Sequence, residues 1–408
     1  MLLSCLEMER VYHSIVSTRI NYVTAQNCNN LKMAEEQKKE EEVAIHGDVL
    51  ETILSYVPLI NLLPACFVSK TWNAAVSSSL SRFNKPKPWL LVHTQSIRRP
   101  HATAFFAYDP RSDIWLRINQ KQPPQHVSPL RSSNSTLLHV LHPSNFSFSI
   151  DPFHLTWHHV NPPAVWRLDP IVAMVGPRIV VAGGACDFED DPLAVEIYDI
   201  STRTWERTES MPATLKDSAS STWLSIAANT RTVFMMEQST GVTHSFNPDS
   251  KTWYGPFDLR PDRSIYFSVI TCVGGNLIML GLLGDAEDVN YVKVWELNGE
   301  SLEFGKEIGV MPTELVEKLK GEGTSLNSVR VSCMGGFFYI YNPGEPGELV
   351  ALEVGEEGWC RWGSLKNAAV GDRSRVAERV VLTCSDVGLG EIAKLVGSGN
   401  EIFTLLKS

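Results

Sequence analysis

A short turn recurs along this chain at intervals of roughly 40 to 60 residues. In each copy an acidic or amide residue is followed six positions later by a tryptophan or another bulky apolar residue. The copies begin at Asp109, Asp151, Asp199, Asn247, Glu296 and Glu353 and end at Trp115, Trp157, Trp205, Trp253, Leu302 and Trp359. A period of this length is typical of small sheets arranged around an axis. The sequence therefore predicts a mainly β fold, a propeller with six blades.

Apolar runs flank each turn and supply the strands of each predicted sheet. The first sheet lacks an innermost strand ahead of Trp89, because a proline-rich segment occupies that place. Near the C-terminus, however, the run VVLTCS at 380–385 matches SVITCV at 268–273 and VRVSCM at 329–334. We therefore expect a C-terminal strand to complete the first sheet, which would close the ring and remove its open edges.

The three matching runs place Cys272, Cys333 and Cys384 at one repeat position. A metal site is one interpretation, and small apolar residues packed between crowded inner strands are the other. The second is favoured, because no histidine shares the position and the spacing is not that of zinc ligands. The chain also lacks a G-x-S-x-G elbow, a Walker loop and a dinucleotide fingerprint. We therefore expect no metal and no other cofactor.

Composition narrows the possible partners. The 408 residues carry a formal net charge of −10, which argues against a nucleic-acid-binding protein. No apolar run approaches the roughly 18 residues that span a bilayer, so no membrane partner is expected. The eight cysteines include no C-x-x-C pair, as expected of reduced thiols in the cytoplasm or nucleus. Residues 1–44, with a charged run at Glu35–Glu42, are predicted to be a disordered N-terminal segment.

The stretch 45–83 has helical periodicity. Its first apolar stripe, which Pro58 ends, consists of Leu50, Ile53, Leu54 and Val57. A later stripe with a four-residue step consists of Val68, Trp72, Val76 and Leu80. With a short turn between them, the pattern predicts three short helices. A unit this small has more apolar surface than it can bury alone, and it gains stability by docking on a partner.

Residues 84–88, Asn-Lys-Pro-Lys-Pro, predict a stiff, extended spacer between the helices and the first sheet. The alternative arrangement is a helical cap lying on the propeller, and the spacer counts against it.

The runs DVLETILSYVP and LLPACFVSKTW resemble an F-box, and the repeats behind them resemble kelch repeats. The order F-box, spacer and kelch propeller is typical of plant F-box/kelch-repeat proteins. The F-box pattern departs at 45–47, where the family has Leu-Pro before an acid, and at Pro64, where a basic or small residue is commoner. The resemblance divides the chain into an F-box (45–83), a proline spacer (84–88), a kelch propeller (89–387) and a C-terminal tail (388–408).

The resemblance implies the substrate-recognition subunit of an SCF (Skp–cullin–F-box) ubiquitin ligase. Such a subunit is a non-catalytic adaptor and not an enzyme, so no catalytic residue is expected in this chain. Such a subunit docks on a Skp-type adaptor, which joins it to a cullin, while its propeller holds a client for ubiquitination and proteasomal degradation. The residues implied for adaptor binding are Leu50, Ile53, Leu54, Pro58, Leu62, Leu63, Val68 and Trp72. Clients in this family include phenylpropanoid and flavonoid enzymes, so a metabolic enzyme is the expected client. Two alternatives stay open: a non-degradative propeller scaffold with a vestigial F-box, and a propeller metalloenzyme.

Because strands alternate in direction, the loops between the second and third strands of each sheet share a face with the connections between sheets. The candidate client-binding residues in and beside these loops are Arg98, Arg99, His101, Phe188, Glu189, Asp190, Asp191, Asp285, Glu287, Asp288, Glu345 and Glu348. Three of the six loops are acidic and one is basic. We expect a client with a basic patch that also meets Arg98 and Arg99 through an acid. A merely solvated rim is the alternative.

Overall fold

Six antiparallel sheets form the body of the protein, a β-propeller, as predicted. The computed structural model describes residues 47–98, 101–119, 128–133, 135–187, 190–299, 301–323, 325–355, 359–370, 378–397 and 402–406. The N-terminal segment that the sequence predicts to be disordered lies outside these residues.

The six blades follow one another around the ring in the order in which the chain reaches them. Blade one contains β1 (Trp89–Ser96), β2 (Thr103–Asp109), β3 (Ile114–Ile118), β24 (Glu378–Ser385) and β25 (Phe403–Leu405). Blade two contains β4 (Leu130–Ser133), β5 (Leu137–His142), β6 (Asn145–Ser149) and β7 (His158–Val160). Blade three contains β8 (Ile171–Val175), β9 (Arg178–Ala182), β10 (Val195–Asp199) and β11 (Thr204–Thr208).

Blade four contains β12 (Leu224–Ala228), β13 (Val233–Glu237), β14 (Val242–Asn247) and β15 (Thr252–Asp258). Blade five contains β16 (Ile265–Val273), β17 (Asn276–Gly284), β18 (Val289–Leu297) and β19 (Phe304–Val310). Blade six contains β20 (Arg330–Met334), β21 (Phe337–Asn342), β22 (Glu345–Val354) and β23 (Cys360–Lys366). Within the described residues the α-helices are α1 (Gly47–Ser55), α2 (Leu59–Ala65), α3 (Lys70–Arg82), α4 (Thr313–Lys320) and α5 (Leu389–Val396), and a 3-10 helix covers Ala213–Leu215.

Closure of the ring by a C-terminal strand is confirmed. Strand β24 pairs antiparallel with β1 in an unbroken register from Trp89 opposite Ser385 to Ser96 opposite Glu378. The tail then continues into β25, which pairs with the outer strand β3 and gives blade one a fifth strand. Both edge strands of blade one, β24 and β25, therefore come from the C-terminal part of the chain.

The repeated turns have the predicted hydrogen bonds. Asp199 Oδ1 accepts from the backbone N–H groups of Ser201 and Thr202 at 2.8 and 3.0 Å. In five such turns, which begin at Asp109, Asp151, Asp199, Asn247 and, in blade five, Asn298, the fifth residue has a positive φ between 53° and 60°. These residues are Asp113, Leu155, Arg203, Lys251 and Leu302. The leading carboxylate or amide thus holds a chain reversal that includes one left-handed residue.

In blade five the turn begins two residues later than predicted. The turn begins at Asn298, whose Oδ1 accepts from Ser301 N at 3.0 Å, and not at Glu296. Strand β19 begins six positions after Asn298, with Phe304 opposite Leu297.

In blade six the prediction that Trp359 is the aromatic residue of the repeat is wrong. Trp362, opposite Leu352, packs in the core, whereas Trp359 is 49 % exposed. Extra residues lengthen this turn, so a fixed six-residue spacing selected a solvent-exposed tryptophan.

The three N-terminal helices pack against blades one and two, so the expected separation by a stiff spacer is wrong. Leu54 and Leu62 belong to the same buried cluster as Trp89 of β1, and Trp89 meets Phe153 edge-on at 5.7 Å. The spacer is itself attached, because Lys87 Nζ lies 3.1 Å from Glu353 Oε1 in blade six. Part of the apolar surface that the helices cannot bury among themselves is therefore covered by the propeller.

Helix α5 completes the packing around the helices. Its Ile392 is fully buried in the cluster that contains Leu54 and Leu62. The carbonyl of Glu391 lies 3.1 Å from His154 Nε2 in the turn of blade two.

Arg111, in the first repeated turn, joins the propeller to α1. Its guanidinium donates to the carbonyls of Val57 at 2.6 Å, Ser55 at 2.8 Å and Leu54 at 3.3 Å. Its Nε donates to the carbonyl of Asn84 at 3.0 Å. The last carbonyls of a helix lack partners within the helix and lie at the negative end of its dipole, which suits a buried cation.

We predict that Arg111→Ala lowers the free energy of unfolding by about 3 kcal/mol, because four carbonyls lose a charged donor. Amide hydrogen exchange should accelerate in α1 and α3, while the strands of blade four keep their protection. Arg117→Ala, at an exposed position on the same blade, is the control, with an expected change within about 0.5 kcal/mol. Equal exchange in the helices of both variants would contradict the assignment.

Candidate interaction surfaces

Helix α1 carries a second apolar stripe on its outward face. Val49 and Ile53, four residues apart, lie on one side of the helix, and Tyr56 directly follows its last residue, Ser55. Tyr56 and Val49 are each 62 % exposed, and Ile53 is partly exposed. The inward stripe faces the propeller, so the outward one is available to a partner.

The connection between α2 and α3 presents two more apolar side chains. Phe67 is 80 % exposed and Val68 is also exposed. The connection is ordered by the bonds from Phe67 N and Val68 N to the carbonyls of Pro64 and Ala65, at 3.1 and 3.2 Å. Ser69 Oγ then accepts from Trp72 N at 3.1 Å and caps α3. Large apolar side chains held in solvent by ordered backbone mark an interaction surface.

The eight predicted adaptor-binding residues divide into three groups by burial. Leu50, Leu54 and Leu62 are buried in the cluster that holds the helices on the propeller, so an adaptor could contact them only after the helices separate. Four are partly buried: Ile53, Pro58, Leu63 and Trp72. Val68 is exposed. Adaptor contact stays a prediction for all eight residues.

Sequence reasoning missed Val49, Tyr56 and Phe67 as candidate contacts. The signal was present, because apolar residues of α1 at positions 49, 50, 53 and 54 cover more than one stripe. Which stripe faces inward depends on where the propeller lies, and the helix sequence does not contain that information.

The predicted client-binding loops lie at the other end of the propeller, since β24 runs from Glu378 at that end to Ser385 beside the helices. Seven steps of about 3.3 Å separate those two residues by about 23 Å. Arg98 is exposed in the loop after β1. His101 is held within the same loop, with Nδ1 3.1 Å from the carbonyl of Ser96.

Two of the predicted acids shape their loops. Asp191 Oδ1 accepts from Leu193 N at 2.9 Å, and Asp285 Oδ1 accepts from Glu287 N and Asp288 N at 3.0 and 2.8 Å. Asp190, Glu287 and Asp288 themselves are exposed. These three carboxylates are the ones best placed to meet a partner.

The structure says less about the exposure of the remaining predicted client-binding residues. Glu345 and Glu348 are half-buried at the start of β22, and Glu348 lies opposite Lys366. Arg99, Phe188 and Glu189 lie outside the described residues. Client contact stays a prediction for every residue of this set.

Two of the three inner cysteines bond to hydroxyl groups. Cys333 Sγ lies 2.9 Å from Thr271 Oγ1, and burial raises the pKa of Cys333 to about 11. Cys384 Sγ lies 3.7 Å from Ser332 Oγ, and burial raises its pKa as well. Both thiols are therefore protonated at neutral pH. Within the described ranges, no three His, Cys, Asp or Glu side chains are grouped as metal ligands, and no helix is long and apolar enough to cross a membrane.

The described residues thus place exposed apolar side chains of the helices at one end of the propeller and an array of loops at the other. Residues 47–84 match the family model of the F-box domain. Over 370 residues the chain is 46 % identical to the F-box/kelch-repeat protein At1g23390 of Arabidopsis thaliana, covering 86 % of this chain and 92 % of that one. The chain belongs to the plant F-box/kelch-repeat proteins.

Two solved structures show weaker likeness. YjhT aligns with a TM-score of 0.36 and 12 % identity, over 52 % of this chain and 67 % of its own. A candidate 6-phosphogluconolactonase of Bacteroides fragilis aligns with a TM-score of 0.40 and 12 % identity, over 74 % of this chain and 99 % of its own. At these scores neither structure defines the fold further.

The two kinds of apolar residue are expected to respond differently to substitution. Leu62→Ala should lower the free energy of unfolding by about 2 to 5 kcal/mol, because it leaves a cavity in the shared core. Phe67→Ser should change it by no more than about 0.5 kcal/mol, because the ring is already in water. Urea denaturation of the full chain measures both. A large loss for Phe67→Ser would mean that this ring is part of the core and not of a binding surface.

Proposed function

We propose that this protein is the substrate-recognition subunit of an SCF-type ubiquitin ligase and acts in it as a non-catalytic adaptor. F-box domains generally bind Skp-type adaptors, and propellers of this family bind client proteins. The observation that carries the proposal is the set of exposed apolar side chains on the helices, Val49, Tyr56, Phe67 and Val68, at the end opposite the loops. The Skp-type adaptor binds there and connects the protein to a cullin.

Rigid docking of the helices supports this role. Ubiquitin transfer by a separate enzyme needs the client held near the charged carrier, so the recognition subunit acts through effective concentration and orientation. The bonds of Arg111 and the cluster around Trp89 fix the propeller relative to the F-box helices. A client on the loop face is thereby held in one orientation relative to the adaptor.

The client is proposed to be a soluble metabolic enzyme, with phenylpropanoid and flavonoid enzymes as the first candidates, bound in the cytoplasm or nucleus and degraded after ubiquitination. Its surface carries a basic patch that meets the exposed carboxylates Asp190, Glu287 and Asp288. The exposed Arg98 meets an acid of the same client.

Adaptor binding is tested with purified full-length protein and a Skp-type adaptor in a calorimetric titration. Tyr56→Ser and Phe67→Ser are each expected to weaken binding about tenfold or more, since anchoring aromatic side chains dominate such interfaces. Tyr254→Ser removes a similarly exposed ring on the outer strand of blade four and should bind like the unaltered protein.

Two outcomes would change the proposal. If the unaltered, folded protein binds no adaptor, the non-degradative scaffold becomes the better function. If it binds but neither substitution weakens binding, the adaptor uses another surface, such as the buried leucines after the helices separate.

The client is tested by proximity labelling in plant cells with the double variant Tyr56→Ser/Phe67→Ser. Deleting the F-box is unsuitable, because its leucines belong to the core of blade one. Clients should accumulate around the double variant and not around Tyr254→Ser, and biosynthetic enzymes should be among them. Adding Glu287→Lys and Asp288→Lys should reduce their recovery. Equal labelled sets for the double variant and the control would reject a degradative role.

A further inference from the structure

The central channel widens into a cavity of about 400 Å³ at the loop end of the propeller. Residues from the inner strands of all six blades line it, and the loop residues Ile97 and Pro343 stand at its rim. The cavity therefore opens on the face proposed to hold the client, between the loops that carry the exposed acids.

Three arginines from blades one, two and six reach this cavity: Arg379 of β24, Arg131 of β4 and Arg330 of β20. Arg131 pairs with Asp169 and lies 3.5 Å from Ser221 Oγ. Among the described residues, the side chains of Arg330 and Arg379 have neither an ion-pair partner nor a hydrogen-bond partner. The acid lining the cavity is Glu378, whose side chain leaves β24 on the face opposite to that of Arg379.

The cations are close enough to affect one another. Burial lowers the pKa of Arg379, the charges of Arg131 and Arg330 lower it further, and Asp169 opposes them. Like charges gathered in a partly buried cavity destabilise the protein unless a counter-charge joins them. Arginine guanidinium groups form their strongest hydrogen bonds with carboxylate and phosphate oxygens.

A buried histidine provides a second, independent observation. His139 lies opposite Arg131 in the β4–β5 pairing, lines the cavity and is only 3 % exposed. Neither ring nitrogen has a hydrogen-bond partner within the described part of the chain. Burial, aided by the charge of Arg131, lowers the pKa of His139 to about 3, so the ring is neutral and offers one donor and one acceptor. A buried polar group without a partner is costly, and a ligand in the cavity would supply one.

We propose that this cavity is an oxyanion site that receives a carboxylate or phosphate group carried on a side chain of the client. Arg330 and Arg379 bind the oxygens, and His139 hydrogen-bonds to the same group or to the atoms behind it. The assignment to the client rests on the proposed function and on the acidic rim. Asp190, Glu287 and Asp288 repel a small free anion, whereas they attract an anionic side chain embedded in a basic segment.

The site is tested with the immobilised full-length protein and short synthetic peptide libraries. The flanking positions are randomised with an excess of lysine, and the central residue is fixed as Glu, phosphoserine, Gln or Ser. Libraries centred on Glu or phosphoserine should be retained about tenfold more than their Gln and Ser counterparts, since a charge-assisted pair is lost in the latter. The preference should disappear in Arg330→Gln and in Arg379→Gln.

The control is Arg361→Gln, which makes the same charge change at an exposed position on β23 and should keep the preference. Misfolding is monitored by thermal denaturation, and Arg379→Gln should keep or raise the melting temperature because it relieves repulsion. Binding should also shift the ring ¹⁵N resonances of His139 in the unaltered protein.

Free inorganic phosphate, titrated at constant ionic strength, separates the two sources of the anion. If phosphate binds in an Arg379-dependent way while the peptides show no preference, the ligand is a free anion and the client assignment is overturned. If neither binds, or if Arg379→Gln keeps the preference, the oxyanion site itself is overturned. None of these measurements uses the adaptor, so failure of the oxyanion site is distinguishable from failure of the ligase proposal.

Discussion

The fold depends on the pairing of β24 with β1, which joins residues nearly 300 positions apart. A strand placed anywhere else would leave blade one without an inner edge and the ring open. Closure brings residues of the inner strands of all six blades together around one cavity at the loop end. At the other end it brings the C-terminal helix beside the N-terminal helices, where Ile392 packs with Leu54. Both candidate interaction ends are therefore products of one long-range pairing.

The F-box helices share one hydrophobic core with blade one. Leu50, Leu54 and Leu62 pack with Trp89, and Arg111 satisfies carbonyls at the end of α1 from a turn of the propeller. A small helical unit cannot bury enough apolar surface alone, and in this protein it shares a core. The arrangement leaves Tyr56 and Phe67 in solvent, which divides the apolar residues into those that hold the helices and those that are free to bind.

The repeat was readable because each turn needs the same chemistry. An Asp or Asn must accept backbone amides, as Asp199 does, and a ring must pack between neighbouring blades, as Trp205 does against Phe146. The six-residue spacing selected the wrong residues in blades five and six, because strand pairing decides which residue occupies the position of the ring. In blade five the turn starts at Asn298, and in blade six a longer turn puts Trp362 opposite Leu352. The prediction of a separating spacer failed for a related reason. The ion pair between Lys87 and Glu353 joins residues that are far apart in sequence, so the proline-rich segment alone could not show that it lies against blade six.

The sequence by itself determined the six-bladed architecture, the closing strand and the helical nature of residues 47–82, because periodicity and turn chemistry are local properties. Only the tertiary structure decided which apolar stripe of α1 faces the propeller and that Arg111 bonds to the helix. It alone placed Arg131, Arg330, Arg379 and His139 around one cavity. These residues lie on three blades that are far apart in sequence, so the spacing along the chain carries no record of their meeting.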